Sequence, residues 1–413
     1  MLSPYRVLDL TDDRGQLCGQ ILGDLGADVV KVEPPGGSPA RTLGPFFHDE
    51  PHPDRSIFWW AYNRNKRSVT LDLASAEGRA LFDRLIERAD FLLESDDPGK
   101  LAARGLSYTD LSARNPALIY VSISAFGQDG PKANYAASDL TLMAASGVMI
   151  QTGDHDRAPL RLCVPQTFLH ACADGAVGAL IAHHERVRSG RGQHVDVSAQ
   201  QSTALATQFG ILAAPLRADN WHRLAGGLKV GPLEVPLVWT VADGHIALGA
   251  LFGKALGPFT AHLMRYIYDQ GGCDAALRDT DWLGYGDLLF GGKEPVANFE
   301  RLNRVIAEFV ATRTKAELFE AALEHNLLLA PVTTMDEVMA SPQFAAREYW
   351  REVEHPELGR PLRYPGPFAK FGATPIRYRR RPPLVGEHNR EIYADELGLS
   401  PQRLAELART GII

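Results

Sequence analysis

The stretch Val7–Val32, VLDLTDDRGQLCGQILGDLGADVVKV, decides the fold class. Val7-Leu8-Asp9-Leu10 is a short apolar run, and Leu17, Ile21, Leu22 and Leu25 recur at helical spacing after Gly15. Val29-Val30-Lys31-Val32 then returns as a second apolar run. Strand, helix and strand in such close succession form a βαβ unit, whose right-handed crossover joins parallel strands. The alternation continues: Ser68–Leu73 (SVTLDL) reads as a third strand, and Ser75 caps a helix with apolar face Leu81, Leu85 and Ile86. Phe91-Leu92-Leu93 and Tyr120–Ile123 follow as further strands. The expected class is α/β with a parallel sheet.

Phe168 to Val187 reads as a long, largely buried helix, closed by the turn Gly190-Arg191-Gly192-Gln193 before a strand at His194–Val197. From about residue 225 the texture changes. Leu237–Val241, the turn Ala242-Asp243-Gly244 and His245–Leu251 read as an antiparallel hairpin, and Thr314 with Glu317 forms a capping box for a helix running toward Leu329. A smaller α+β domain is expected over 225–325. The Pro- and Arg-rich stretch Pro361–Pro383 suits an extended segment wrapping a neighbour.

The chain has 413 residues, 45% of them hydrophobic, enough to fill a substantial core. With 43 Lys+Arg against 50 Asp+Glu, the net charge of -7 argues against nucleic acid as a partner. No apolar run approaches the roughly 18 to 20 residues of a membrane span, and Met1–Asp9 lacks a signal-peptide layout, so a cytoplasmic location is expected. Cys18, Cys163, Cys172 and Cys273 form no C-x-x-C pair, and His183 and His184 point about 100° apart on a helix. No metal is expected.

Several stretches, in order, resemble the family III CoA-transferases, the group of the carnitine and bile-acid CoA-transferases, formyl-CoA transferases and α-methylacyl-CoA racemases. They are Asp24–Gly37 (DLGADVVKVEPPGG), Asn63–Leu73 (NRNKRSVTLDL), Phe126–Pro131 (FGQDGP), Ser189–Val197 (SGRGQHVDV), Ala242–His245 (ADGH) and Pro383–Asn389 (PLVGEHN). The resemblance implies a Rossmann-like large domain built from both chain ends (1–224 and 326–413) around the small domain, in an interlocked dimer. It implies acyl-CoA as substrate rather than a tightly bound cofactor, and a carboxylic acid acceptor. The partner chain would be a second copy or a paralogue.

The family's nucleotide-holding loops correspond here to Asp13 and Arg14, to Leu71, Asp72 and Leu73, and to Ser95, Asp96 and Asp97 before the Pro98-Gly99 dipeptide. Arg14, Arg41 and Lys66 are cations suited to phosphates, Arg41 standing in because Pro34 and Pro35 follow Glu33 where relatives often carry arginine. Solvated surface cations are the alternative.

The resemblance also exposes a gap. The transferases use an aspartate at the head of the long helix as nucleophile, and counting back from Gln193 reaches Thr167 or Phe168, beside Gln166. No carboxylate stands there, and a threonine ester would be far less reactive than an anhydride. Asp174 lies about 9 to 10 Å further along a continuous helix. His170 is a candidate base or an ordinary helix-face histidine. Asp139 is a pocket group or the N-cap of the helix that follows it, and Ser138 replaces the racemase histidine. Gly226-Gly227 matches a closing glycine loop or an ordinary turn. Ala136, Ala137 and Met143 suggest an apolar acyl pocket, with Trp59 and Trp60 near it or in the core. The expected function is therefore CoA transfer between an acyl-CoA and a carboxylic acid. The alternatives are hydratase or lyase chemistry on an acyl-CoA, or a CoA-binding subunit whose paralogous partner carries the aspartate.

Overall fold

The computed structural model describes residues 1–216, 223–230 and 233–413. Two compact units emerge: Met1–Val148 with Arg161–Leu212 and Pro342–Ile413, and Met149–Leu160 with Ala213–Ser341.

The first unit is built on β1 (Arg6–Asp9), β2 (Asp28–Glu33), β3 (Lys66–Thr70), β4 (Phe91–Glu94), β5 (Ile119–Ser124) and β6 (His194–Ser198). These strands pair in the order β3-β2-β1-β4-β5-β6, every pairing parallel. The near-continuous apolar runs follow from this, because a parallel sheet is covered on both faces. Helices α1 (Gln16–Asp24), α2 (Ile57–Tyr62), α3 (Ala76–Ile86), α4 (Tyr108–Arg114), α5 (Asp139–Ala145), α6 (Thr167–Ser189) and α7 (Ala199–Leu205) connect or flank the strands. On one face Val7, Val29, Leu93, Val121 and Ile123 pack with Leu22 of α1 and Ala176 and Ala179 of α6. On the other, Leu8, Val30, Leu92 and Tyr120 pack with Phe82 and Leu85 of α3, Leu111 of α4 and Leu407 near the C-terminus. Small residues let α6 approach closely: a Cβ on Gly175 would lie 3.2 Å from Ile123 Cδ1 and 3.4 Å from Cys18 Sγ.

The third strand starts and ends earlier than the expected Ser68–Leu73. Lys66 and Arg67, polar residues that argue against a strand by composition, are neutralised within it: Lys66 by Asp9, Arg67 by Asp28, Glu391 and Glu396. It ends because Asp72 opens a turn, its carboxylate accepting from Ala74 N and its carbonyl from the Ser75 hydroxyl. The start of the proline-rich tail is a strand: Arg360–Tyr364 pairs antiparallel with Arg351–His355, and the segment that follows, which has no helix or strand up to Pro383, contacts its own unit. Asn65 N donates to Arg380 O at 3.1 Å, and Trp59 Nε1 donates to Pro383 O at 3.2 Å. Trp59 and Trp60 lie in a small core with Ala40, Val353 and Tyr364, not in an acyl pocket.

In the second unit, the expected hairpin is present as Val238–Val241 and Gly244–Leu248, joined on its other edge by Leu329–Pro331. The Thr314–Glu317 capping box starts the helix Lys315–His325, which closes at Asn326 with φ 55. Gly226, with φ 70, serves as a turn leading into the strand Gly227–Val230. Among the described residues, no helix is long and apolar enough to cross a membrane.

Candidate active site at the sheet's switch point and the head of α6

The strand order reverses between β1 and β4, and the loops leaving their carboxyl ends lie together there, the usual ligand position of an open parallel sheet. Side chains tie these loops. Asp12 N donates to Ser95 Oγ at 2.8 Å, and the Ser95 hydroxyl donates back to Asp12 Oδ1 at 2.6 Å. Arg14 spans both loops, meeting the Asp12 carboxylate at 2.8 Å and Asp97 at 2.9 Å. Asp97 also pairs with Lys100. Asp96 N donates to Glu94 Oε2, turning the chain sharply out of β4. Asp13 is exposed beside this cluster. Leu71 is buried and its amide reaches Glu33 O, while Asp72 N donates to Ile412 O and Leu73 is half-buried. The structure therefore brings Asp13, Arg14, Ser95, Asp96 and Asp97 together at the switch point, and holds Leu71–Leu73 beyond the end of β3.

Arg41 and Lys66 do not fit the phosphate role expected of them. Arg41 is 1% exposed and is consumed by Glu33 at 2.6 Å, Asp54 at 2.8 Å and the Pro383 carbonyl, with Trp59 stacked on its guanidinium. Lys66 is fully buried and donates to Asp9 Oδ2 at 2.8 Å, Gln16 O at 2.7 Å and Asn63 Oδ1 at 2.9 Å. Both cations brace the sheet beneath the site.

Asp9 is the hub of that bracing. Its Oδ1 accepts from Thr11 N at 2.9 Å, the Thr11 hydroxyl at 2.6 Å and Lys31 Nζ at 3.0 Å, while Oδ2 takes Lys66. Burial would raise its pKa, but the two lysines and these bonds reverse that and hold it well below the usual range. Lys66 moves down because burial outweighs the pull of Asp9. One carboxylate thus holds the amines of two buried lysines, Lys31 and Lys66, under the loop after β1. Sequence reading missed this hub. Its signal is a lone Asp and a lone Lys inside otherwise apolar strands, and Asp9 and Lys31 are partners in register.

At the head of α6, Thr167 is buried and Gln166 is half-buried. Asp139 Oδ1 accepts from Gln166 N at 2.8 Å, Thr167 N at 2.9 Å and the Thr167 hydroxyl at 2.9 Å. The free amides of a helix start carry partial positive charge, and here a carboxylate from α5 satisfies them. Asp139 is thus not the N-cap of the helix that follows it. Ser138 holds that position in a capping box with Thr141, and Asp139 caps α6 instead. Asp139 Oδ2 is buried without a partner. His170 is exposed one turn along α6, and Asp174 is half-buried further down, lining an open cleft with Val195–Ser198. The two are separated from the helix head as the rise per residue requires. Ala136 and Ala137 are exposed and Met143 is buried in the core. Among the described residues, no group of His, Cys, Asp and Glu is arranged to hold a metal ion.

The chain matches the sequence profile described as CoA-transferase family III over residues 2–389. It is 35% identical over 416 residues to a succinyl-CoA:(R)-benzylsuccinate CoA-transferase subunit from Thauera aromatica, covering 100% of this chain and 98% of that protein. It is 32% identical over 422 residues to a succinyl-CoA–D-citramalate CoA-transferase from Chloroflexus aurantiacus, with 100% and 98% covered. The fold matches the crystal structure of a CaiB/BaiF family protein from Brucella suis with a TM-score of 0.80 at 27% identity, covering 95% of this chain and 98% of that one.

Proposed function

Since the chain belongs to CoA-transferase family III, we propose that it serves the transfer of CoA between an acyl-CoA and a carboxylic acid, as the CoA-holding subunit whose partner chain supplies the nucleophile. The observation that carries this reading is the head of α6. The transfer needs a carboxylate that attacks the thioester carbonyl and expels the CoA thiolate to form a mixed anhydride; the thiolate reopens it to an enzyme-bound CoA thioester with release of the first acid, and the acceptor acid displaces that thiolate to form a second anhydride, from which the thiolate takes the new acyl group and frees the carboxylate. The resemblance puts Thr167 or Phe168 at that position, neither of them a carboxylate, and the Thr167 hydroxyl is already a donor to Asp139. A carboxylate at 167 would face Asp139 at the same short range, with like charges in one buried place. That a similar protein is named as a subunit favours the assembly, and the succinyl-CoA named for two relatives favours a dicarboxylic donor.

Within this reading the large domain is Rossmann-like and holds CoA across the switch point, Arg14 being the cation that can turn outward to phosphate. Met1–Val148, Arg161–Leu212 and Pro342–Ile413 make that domain, and Met149–Leu160 with Ala213–Ser341 make the small one, which is wider than the expected 225–325. The protein is cytoplasmic and works as an interlocked dimer, with a paralogue as the active partner and a second copy as the competing arrangement. Asp174 and His170 are structural or solvent-facing.

The test is mass spectrometry of the chain, alone and co-expressed with a paralogous chain carrying the helix-head aspartate, incubated with succinyl-CoA and isotopically labelled carboxylic acids. Label entering CoA thioesters only with the partner, and an acyl or CoA adduct on the partner's peptides, is expected. Exchange by this chain alone with an adduct on its own residues overturns the subunit assignment. A product changed by the mass of water overturns transfer itself.

A further inference from the structure

Across the β4 loop from the switch point, a cavity of about 210 Å³ lies over one face of β4, β5 and β6. Its floor is made by register: Glu94 is paired with Ser122, and Tyr120 with His194, and all four line the cavity. Glu94 and Ser122 are 4% and 1% exposed. Gln128 closes one side, its loop fixed by its own amide donating to the Asp196 carboxylate at 2.9 Å. Its side-chain Nε2 is buried and has no acceptor. Tyr108 stacks on His194 at 5.7 Å and 18°, giving a flat aromatic wall.

Most lining groups are already used. The Tyr108 and Tyr120 hydroxyls donate to Gly192 O and Leu106 O, and Asp97 is paired with Arg14 and Lys100. Ser122 Oγ and His194 Nε2 share a hydrogen bond of 2.9 Å. Glu94 already accepts from Asp96 N at 2.8 Å, so what remains for a ligand is the rest of that carboxyl, the Thr109 hydroxyl and the Gln128 amide donor. Among the described residues no Lys or Arg lines the cavity, so an anion is disfavoured. A protonated carboxyl presents a donor beside an acceptor, the complement of a planar lactam or carboxamide edge, and a second acceptor on such a ring would satisfy Gln128.

We propose that this cavity, bordered by the same Asp97 loop as the CoA cradle, is a small-molecule site for an uncharged planar lactam or carboxamide about the size of a pyrimidine base, held by Glu94 and Gln128. Burial pushes the Glu94 carboxyl up to about 7, against the Ser122 hydroxyl and the Asp96 amide, with Asp96 adding to the rise and Arg14 opposing it. Tyr108, Tyr120, the ion-paired Asp97 and neutral-leaning His194, whose burial lowers its pKa, are the other titratable groups facing it. Binding through a protonated carboxyl weakens as pH rises above that range.

The experiment is ligand-observed NMR titration of the full chain with uracil and with nicotinamide, at pH 6 and pH 8.5, with and without saturating CoA. Saturable binding that is at least fivefold tighter at pH 6, unchanged by CoA, is expected. Glu94→Gln, which keeps a donor and an acceptor, should retain binding and lose its pH dependence, and Gln128→Leu should weaken it at least fivefold. Absence of saturable binding overturns the proposal, and so does preference for a protonated probe such as benzamidine. Competition by CoA also overturns it, since the cavity would then be part of the CoA site. Circular dichroism of each variant separates loss of binding from loss of fold.

Discussion

The Asp139 carboxylate accepts from both the amide and the hydroxyl of Thr167, each at 2.9 Å, and so fills the anion position at the head of α6 from a neighbouring helix. Removing the acceptor strands two amides and a hydroxyl at a buried helix start. Asp139→Ala should cost about 2 to 4 kcal/mol and Asp139→Asn, which keeps the Oδ1 acceptor, about 1 kcal/mol. Urea denaturation of both variants checks this; equal losses would show that the cap is not what Asp139 supplies.

A methyl group on Gly19 would come within 2.3 Å of Asp9 Oδ2 and 3.2 Å of Lys66 Nζ. The helix could accept alanine there by propensity alone, gaining about 1 kcal/mol. Collision with the buried hub reverses the sign, and Gly19→Ala should destabilise by roughly 2 kcal/mol or more. A thermal midpoint at or above that of the wild type would mean the hub can shift aside.

Asp9 and Glu94 give opposite pH dependences. Asp9 is depressed in the fold, so its contribution is present above the unfolded carboxylate pKa and is lost as pH falls through the acid range. Glu94 is raised to about 7, so its contribution is complete below its unfolded pKa near 4.5 and disappears as pH rises toward 7. Relative to wild type, Glu94→Gln should therefore gain on the order of 2 kcal/mol at pH 8 compared with pH 5. Chemical denaturation at those two pH values reads the difference, and parallel curves would remove Glu94 as the titrating group.

The cations of the site should separate into two kinds. Arg14 is half-buried on the surface loops, so Arg14→Ala should weaken CoA binding about tenfold with a stability loss near 1 kcal/mol. Arg41→Ala leaves Glu33 buried without its partner and should cost about 3 to 5 kcal/mol. Calorimetric CoA titration beside thermal unfolding of each variant distinguishes them.

Sequence alone determined the parallel α/β class, the βαβ start and the hairpin at 238–248. Each is a local pattern: strand runs bounded by turns, helical spacing, a capping box. It also carried the family, because ordered motifs survive in one dimension. The tertiary structure decided what the polar residues do. Arg41 and Lys66 look like free cations in the sequence and are buried in ion pairs, because their partners Glu33, Asp54 and Asp9 reach them only across registered strands and loops. Asp139 looks like a cap for its own helix and instead caps one beginning 28 positions later. Glu94, Ser122, Gln128 and His194 show no spacing in common, and only the register of three adjacent strands, with the loop that carries Gln128, makes them one cavity. Pairing between distant segments is set by sheet register and burial, and neither has a local signature for sequence to display.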